Sequence, residues 1–297
     1  MGNLLRRDWR LYVLLAAPIV YFIIFKYFPM YGVLMAFQDY NMFQGVFHSK
    51  FVGFDVFKEM LASRDFLRAL RNTFLLNFLD LLVGFPAPLL LAILLNELKG
   101  KLFKRFAQTV LYFPHFLSWV IIGGIAYELF ATKGIVNNTL QAIGMNQLPF
   151  LTDKWYWLVN YVAIGVWQNA GWGTIIYLAA ISGINTELYE ASSMDGASRL
   201  RQIWHILLPG IRPTIVTLLI LNLGKITAIG FDRPFVLQNT YVLDFGEVIS
   251  TYVYKVGLQS GQFSFATAVG LFQSVIGMIF LLSGEYMARR LGERGIW

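Results

Sequence analysis

The chain has 297 residues, of which 57% are hydrophobic, 16% aromatic and only 14% charged, and it carries a formal charge of +7 with no cysteine. So much apolar surface excludes an ordinary soluble domain, which carries roughly 25% charged residues and would be left with large sticky patches in water. The missing cysteines exclude disulfides, thiolate metal sites and cysteine nucleophiles, and the cations gather at the ends of apolar runs, so no nucleic-acid partner is expected.

A helix that crosses a bilayer needs about 20 mostly apolar residues. Such stretches are read at residues 11–37, with Pro18, Lys26 and Pro29 inside, and at 72–95, with Asp80, Pro86 and Pro88. They continue at 106–130, 155–182, 214–231 (short, and interrupted by Lys225) and 265–287. The chain is therefore expected to be an all-α integral membrane protein of about six spans. The apolar start is followed by further apolar runs and lacks a small-residue cleavage site, so the first span is expected to stay.

The cations Arg6, Arg7, Arg10, Lys99, Lys101, Lys104, Arg105, Arg199, Arg201, Arg212, Arg289, Arg290 and Arg294 all fall on one side of such a bundle. The connection after the second span is short and dense in Lys and Arg, which weighs most in orientation, so both termini are placed in the cytoplasm. Residues 38–52 read as turns with short extended pieces, and 248–256 as a short amphipathic helix at the outer face. No repeat or linker is evident, so one domain over 1–297 is expected.

The connection at 182–213 differs from the others. Asn185 or Thr186 is suited to cap a helix start, and Glu187 and Glu190 follow in its first turns, at the positive end of the dipole. Gly196 is suited to close that helix in a left-handed conformation. Ser198 then caps a second helix expected to run to Leu208 and to stop at Pro209. The product is two short helices joined by a glycine turn, with Leu188, Tyr189, Met194, Ile203 and Trp204 as apolar docking surface. Taken alone, this is equally a capped surface helix pair.

Within that segment, Glu190-Ala191-Ser192, then Gly196, then Ile206, Leu208 and Pro209 resemble the cytoplasmic loop of binding-protein-dependent ABC importer permeases. That loop has the form EAA, three residues, G, nine residues, I, one residue, LP. Ser192 stands where the family usually has alanine, a small-for-small exchange. The stretches IIFKYFPMYGVLMAFQDYN, WQNAGWGTIIYLAAISGIN and STYVYKVG, with the ending RRLGERGIW, are similar to carbohydrate permeases. The subgroup includes oligo- and polysaccharide transporters, some for uronate-containing sugars such as alginate.

The resemblance implies a type I ABC importer permease fold in the bacterial inner membrane, with a coupling loop at 183–212. Glu190, Ala191, Ser192, Asp195, Gly196, Ile206, Leu208 and Pro209 would engage a separate ATPase. It implies a second permease, homologous in a heterodimer or else a copy of this chain, two ATPase subunits that hold the ATP and Mg, and an extracytoplasmic solute-binding protein. An oligosaccharide would be the solute, and this chain would hold no cofactor.

Ionisable groups at membrane depth cost on the order of 2.5–3.5 kcal/mol each on insertion scales, so Asp80 and Lys225 merit a role. Asn77 lies three residues from Asp80, and Asn222 three from Lys225, so each pair shares a helical face. Gln168 and Trp172, four apart, would offer a hydrogen-bonding group beside an aromatic surface, as a sugar path requires. Asp80, Gln168, Trp172, Asn222 and Lys225 are thus the candidate substrate path; the alternative is that these groups glue the bundle together. Lys26 is suited to snorkel to the outer interface. His48, His115 and His205 are scattered, so no metal site is expected, and no G-x-x-x-x-G-K-[ST] loop is present. A secondary transporter would need more intramembrane carboxylates, and a membrane-embedded enzyme would need acidic or histidine clusters at an interface.

Overall fold

The computed structural model describes residues 9–290 and Gly292, and among them helix dominates. Arg6, Arg7 and Arg294, three of the cations used to orient the chain, lie outside the described residues. Among the described residues, five helices are long and apolar enough to cross a membrane: Trp9–Phe37, Arg64–Glu97, Trp119–Ala142, Arg199–Leu223 and Phe263–Arg290. The chain divides into two compact units.

One unit joins the residues through Ser63 with Val253–Phe272. It opens with α1 (Trp9–Phe22), a π turn at Ile23–Tyr27 and a 3-10 stretch at Phe28–Phe37. Their side chains stay exposed as far as Met35, with few exceptions, as expected for a helix apolar on every face and solvated by lipid. The two strands β1 (Gln38–Asp39) and β2 (Lys50–Phe51) pair antiparallel around α2 (Gly45–His48), and α3 (Asp55–Ala62) follows. This matches the extended pieces and turns expected at 38–52. The Tyr40 N–H donates to Ser264 Oγ at 2.9 Å, which ties the hairpin to the start of the last helix.

The other unit joins Arg64–Tyr252 with the residues from Gln273 onward. Its elements are α4 (Arg64–Leu79), α5 (Pro86–Glu97), α6 (Lys101–Tyr112), α7 (Trp119–Phe130), α8 (Ile135–Ala142) and α9 (Lys154–Ser182). Then come α10 (Thr186–Met194), α11 (Arg199–Gln202), α12 (Leu208–Leu223), α13 (Asp232–Leu237), α14 (Leu243–Gly246) and α15 (Ile249–Val253). The last helix, α16 (Phe263–Arg290), begins in the first unit and ends in the second.

The 29-residue α9 is absent from the apolar set although it is the longest single helix described. The reason is its place in the fold. Asn160, Gln168 and Thr174 are buried along it together with Trp157, Tyr161, Ile164 and Tyr177. A helix surrounded by protein can carry polar groups that a lipid-facing helix cannot. Three apolar clusters form around it: Leu76, Trp157, Tyr161 and Val248 at one end, Ile122, Ala126 and Ile164 to the side, and Ala92, Tyr177, Leu207 and Ile211 at the other end. Asp153 caps its start, accepting from Trp155 N at 2.9 Å and Tyr156 N at 3.2 Å.

Three of the π turns stand just before prolines: Ile23–Tyr27 before Pro29, Asp80–Gly84 before Pro86, and Ile203–Leu207 before Pro209. A proline ring clashes with the carbonyl four residues back and donates no N–H. A widened turn at that carbonyl moves it aside and re-satisfies the backbone, so the helix continues. Pro209 is the case that corrects the sequence reading. The second loop helix does not stop there; Leu208 N bonds to Ile203 O, and the chain runs on as one helix from Arg199 to Leu223. The fifth span accordingly begins and ends earlier than 214–231, and a turn follows at Gly224. The stretch 106–130 is also not one helix: a 3-10 turn at Phe113–Phe116 around Pro114 ends α6, and Ser118 caps α7 by accepting from Ile121 N at 3.3 Å.

Asn72 is fully buried and ties α4 to α14 and the residue after it. Its Nδ2 donates to the carbonyls of Asp244 and Glu247, both at 2.9 Å. Asn72→Ala is expected to cost about 1–3 kcal/mol for the carbonyls left unpaired, read as a lowered melting temperature of the purified protein in detergent.

Candidate functional site

The segment at 182–213 folds as its capping residues direct. Asn185 rather than Thr186 takes the cap of α10, accepting from Glu187 N at 3.0 Å, and Ser198 caps α11, accepting from Arg201 N at 3.4 Å. Gly196 between them has φ 72°, the left-handed region that glycine adopts without strain. Glu190, Ala191, Asp195 and Gly196 are exposed, as are Leu188, Met194, Leu200 and Trp204. Ile206 and Leu208 are half-buried, and Pro209 is exposed.

Ser192 does more than replace a small residue. The buried Gln202 of α11 donates through Nε2 to Ser192 Oγ and Ser193 Oγ, each at 2.9 Å, while both hydroxyls donate to the Tyr189 carbonyl. This network clamps α10 onto α11, and α11 is continuous with α12. Next to it a cavity of about 540 Å³ is lined by Glu97, Lys99, Tyr189, Glu190 and Arg199 among others. Burial, and secondarily the Glu97 carboxylate, push the Tyr189 phenol above its ordinary range, so it stays neutral at physiological pH.

At the far end of α12 a second cavity, of about 530 Å³, opens between α4, α5, α9 and α12. Asp80, Trp172, Asn222 and Lys225, four of the five residues read as a substrate path, line it. Gln168 does not. It is buried, its Oε1 accepts from Asn169 Nδ2 at 2.8 Å, and Asn169 takes the place in the wall. Asn169 is three residues from Trp172 and Gln168 four, so helical spacing alone does not choose between them. Trp172 stacks on His115 at 4.7 Å and meets Phe116 edge-on, a braced aromatic surface that remains 45% exposed. Asn77 donates to the Ile226 carbonyl at 2.7 Å and so ties α4 to the turn after α12.

Asp80 is not a free carboxylate. Arg233 of α13 grips it with two nitrogens, Nη1 at 2.7 Å and Nη2 at 3.1 Å, and Nη2 also donates to the Tyr161 carbonyl at 2.6 Å. The guanidinium lies 3.7 Å from the Tyr161 ring centre. The room for it comes from Gly165, where a Cβ would run into the guanidinium. Asp80 and Arg233 are 153 residues apart, and only the fact that each charge needs a partner at membrane depth points to the pair.

The family of binding-protein-dependent transport system inner membrane components matches residues 84–293. Protein LplB of Bacillus subtilis is 44% identical over 294 residues, 99% of this chain and 92% of that protein. The polygalacturonan/rhamnogalacturonan transport system permease protein YteP of the same organism is 43% identical over 288 residues, 97% of this chain and 90% of the relative. A crystal structure of a bacterial ABC transporter that imports the acidic polysaccharide alginate superposes with a TM-score of 0.89 and 40% identity, covering 97% of this chain and 98% of that one. The bacterial alginate ABC transporter in complex with an alginate pentasaccharide-bound periplasmic protein superposes with a TM-score of 0.91 at 39% identity, over 100% and 99%.

Asp80→Ala is expected to strand the Arg233 charge and to cost about 3–5 kcal/mol, measured by thermal unfolding in detergent. Asp80→Ala combined with Arg233→Leu is expected to recover part of the loss, because no bare charge remains.

Proposed function

Because the chain belongs to the family of binding-protein-dependent transport system inner membrane components and is the permease of an ABC-type sugar importer, we propose that it carries an acidic oligosaccharide through the cavity beside α12. The helix from Arg199 to Leu223 is the single observation that carries the reading. At about 1.5 Å per residue its 25 residues span about 37 Å. One end is clamped to the exposed α10, and the other carries Asn222 into the cavity wall.

In this reading α10 seats in a partner ATPase, with Glu190 making charge-assisted contacts and Leu188, Met194 and Trp204 filling apolar surface. Two such ATPases hold the ATP and Mg, a second homologous permease completes the pathway, and a solute-binding protein docks outside. Closure of the ATPases pushes α10, and α12 shifts the cavity wall, so nucleotide state and cavity access are coupled. Trp172 offers a face on which a sugar ring stacks, beside the amides of Asn169 and Asn222. The acidic class of solute is supported by what the alginate transporters and YteP are named for. Neither an ATPase-free secondary transporter nor a membrane-embedded enzyme fits the family.

The test is sugar-stimulated ATP hydrolysis by the reconstituted complex. Glu190→Ala and Gly196→Pro are expected to assemble in the membrane and to fall to the unstimulated rate. Stimulation that survives in both would mean that α10 is only a surface helix.

A further inference from the structure

The charges that line the cavity are Asp80, Lys225 and Arg233. Two of them cancel, since Arg233 holds both oxygens of Asp80. Lys225 remains. Its ammonium has no hydrogen-bond acceptor or carboxylate within ion-pair distance among the described residues, and it stands in the turn that ends α12, exposed to the cavity. The helix end explains in part how a lysine is tolerated there, because the last carbonyls of α12 carry partial negative charge. They do not neutralise it. An uncompensated cation in a membrane-embedded cavity calls for an anionic partner.

We infer that Lys225 reads the carboxylate of the solute and makes the permease selective for acidic over neutral sugars. The inference rests on the oligosaccharide-import reading and deepens it. The geometry divides the labour. The Asp80–Arg233 pair is a neutral, locked part of the wall, held by Gly165 and Tyr161. Lys225 is the free charge, with Asn222 and Asn77 nearby on α12 and α4 for the hydroxyls. A lysine ammonium is a point charge on a flexible stem, which suits successive carboxylates passing along a chain better than a rigid bidentate fork. Lys225 also follows directly on the α12 lever, so movement of that helix would carry the charge with it and release the bound carboxylate.

The experiment is uptake of trigalacturonate, and of its carboxyl-reduced counterpart galactotriose, into proteoliposomes holding the complete complex and its solute-binding protein. Lys225→Met is expected to lower trigalacturonate uptake about ten-fold, the loss of one charge-assisted hydrogen bond, and Lys225→Arg to keep most of it. Asn222→Asp leaves the lysine in place but puts a carboxylate three residues away, and is expected to reproduce the loss should Lys225→Met fail to assemble. Trigalacturonate uptake at the unchanged rate in both Lys225→Met and Asn222→Asp would overturn the inference while leaving import itself intact. Equal loss in Lys225→Met and Lys225→Arg would overturn it too, by making the lysine structural. Uptake of galactotriose but not trigalacturonate by the unchanged chain would instead remove the acidic-solute reading, and this inference with it.

Discussion

A proline inside a membrane-crossing helix leaves a carbonyl without its donor and, in hydrocarbon, without water to replace it. The π turn at Ile203–Leu207 resolves this at Pro209, and most of the functional architecture depends on that solution. Had the helix stopped at Pro209, α10 and α11 would hang from a flexible joint. Because it continues, the short helix that presents Glu190 is joined through Gln202 and its two serine partners to a rod that ends at the cavity. The same device at Asp80–Gly84 lets Pro86 and Pro88 follow without a break and places Asp80 at the widened turn.

The second constraint is charge. Every ionised side chain at membrane depth must be paired, solvated or used. Asp80 and Arg233 satisfy one another at short range, with the Tyr161 carbonyl taking a further guanidinium hydrogen. The pair also anchors α13 against α9 and the turn after α4, so one wall of the cavity is pinned while the α12 wall is continuous with α11 and, through it, joined to α10. A fixed wall facing a movable one is the minimal arrangement for a site whose access alternates.

Local features were legible in the sequence because their causes are local. A side-chain oxygen beside free N–H groups defined the caps at Asn185 and Ser198, and the left-handed turn at Gly196 followed from residue type. The helices were legible from their apolar runs, α9 among them, read at 155–182 and found at Lys154–Ser182 although its polar residues are buried in protein. The helix does not end at Pro209 because the widened turn at Ile203–Leu207 absorbs the proline, and residue type alone does not show such a turn. The break at Pro114 went unnoticed because apolar composition continues across it. In the cavity, Asp80, Trp172, Asn222 and Lys225 were visible as polar or aromatic residues out of place in lipid, whereas Gln168 and Asn169 differ by a rotation that only packing decides. The role of Gly165 was invisible, because its partner Arg233 lies far along the chain.

The coupling proposed for this permease requires α10 and the cavity wall to move as one body. The chain has no cysteine, so spin labels can be placed uniquely at Met194→Cys on α10 and Leu221→Cys near the end of α12, both exposed positions. Electron–electron distance measurements on the reconstituted complex would compare the nucleotide-free and ATP-trapped states. The account predicts a Met194–Leu221 separation that stays within the width of its own distribution in both. A separation that shifts beyond that width would show α10 moving independently of α12, and the lever would be contradicted.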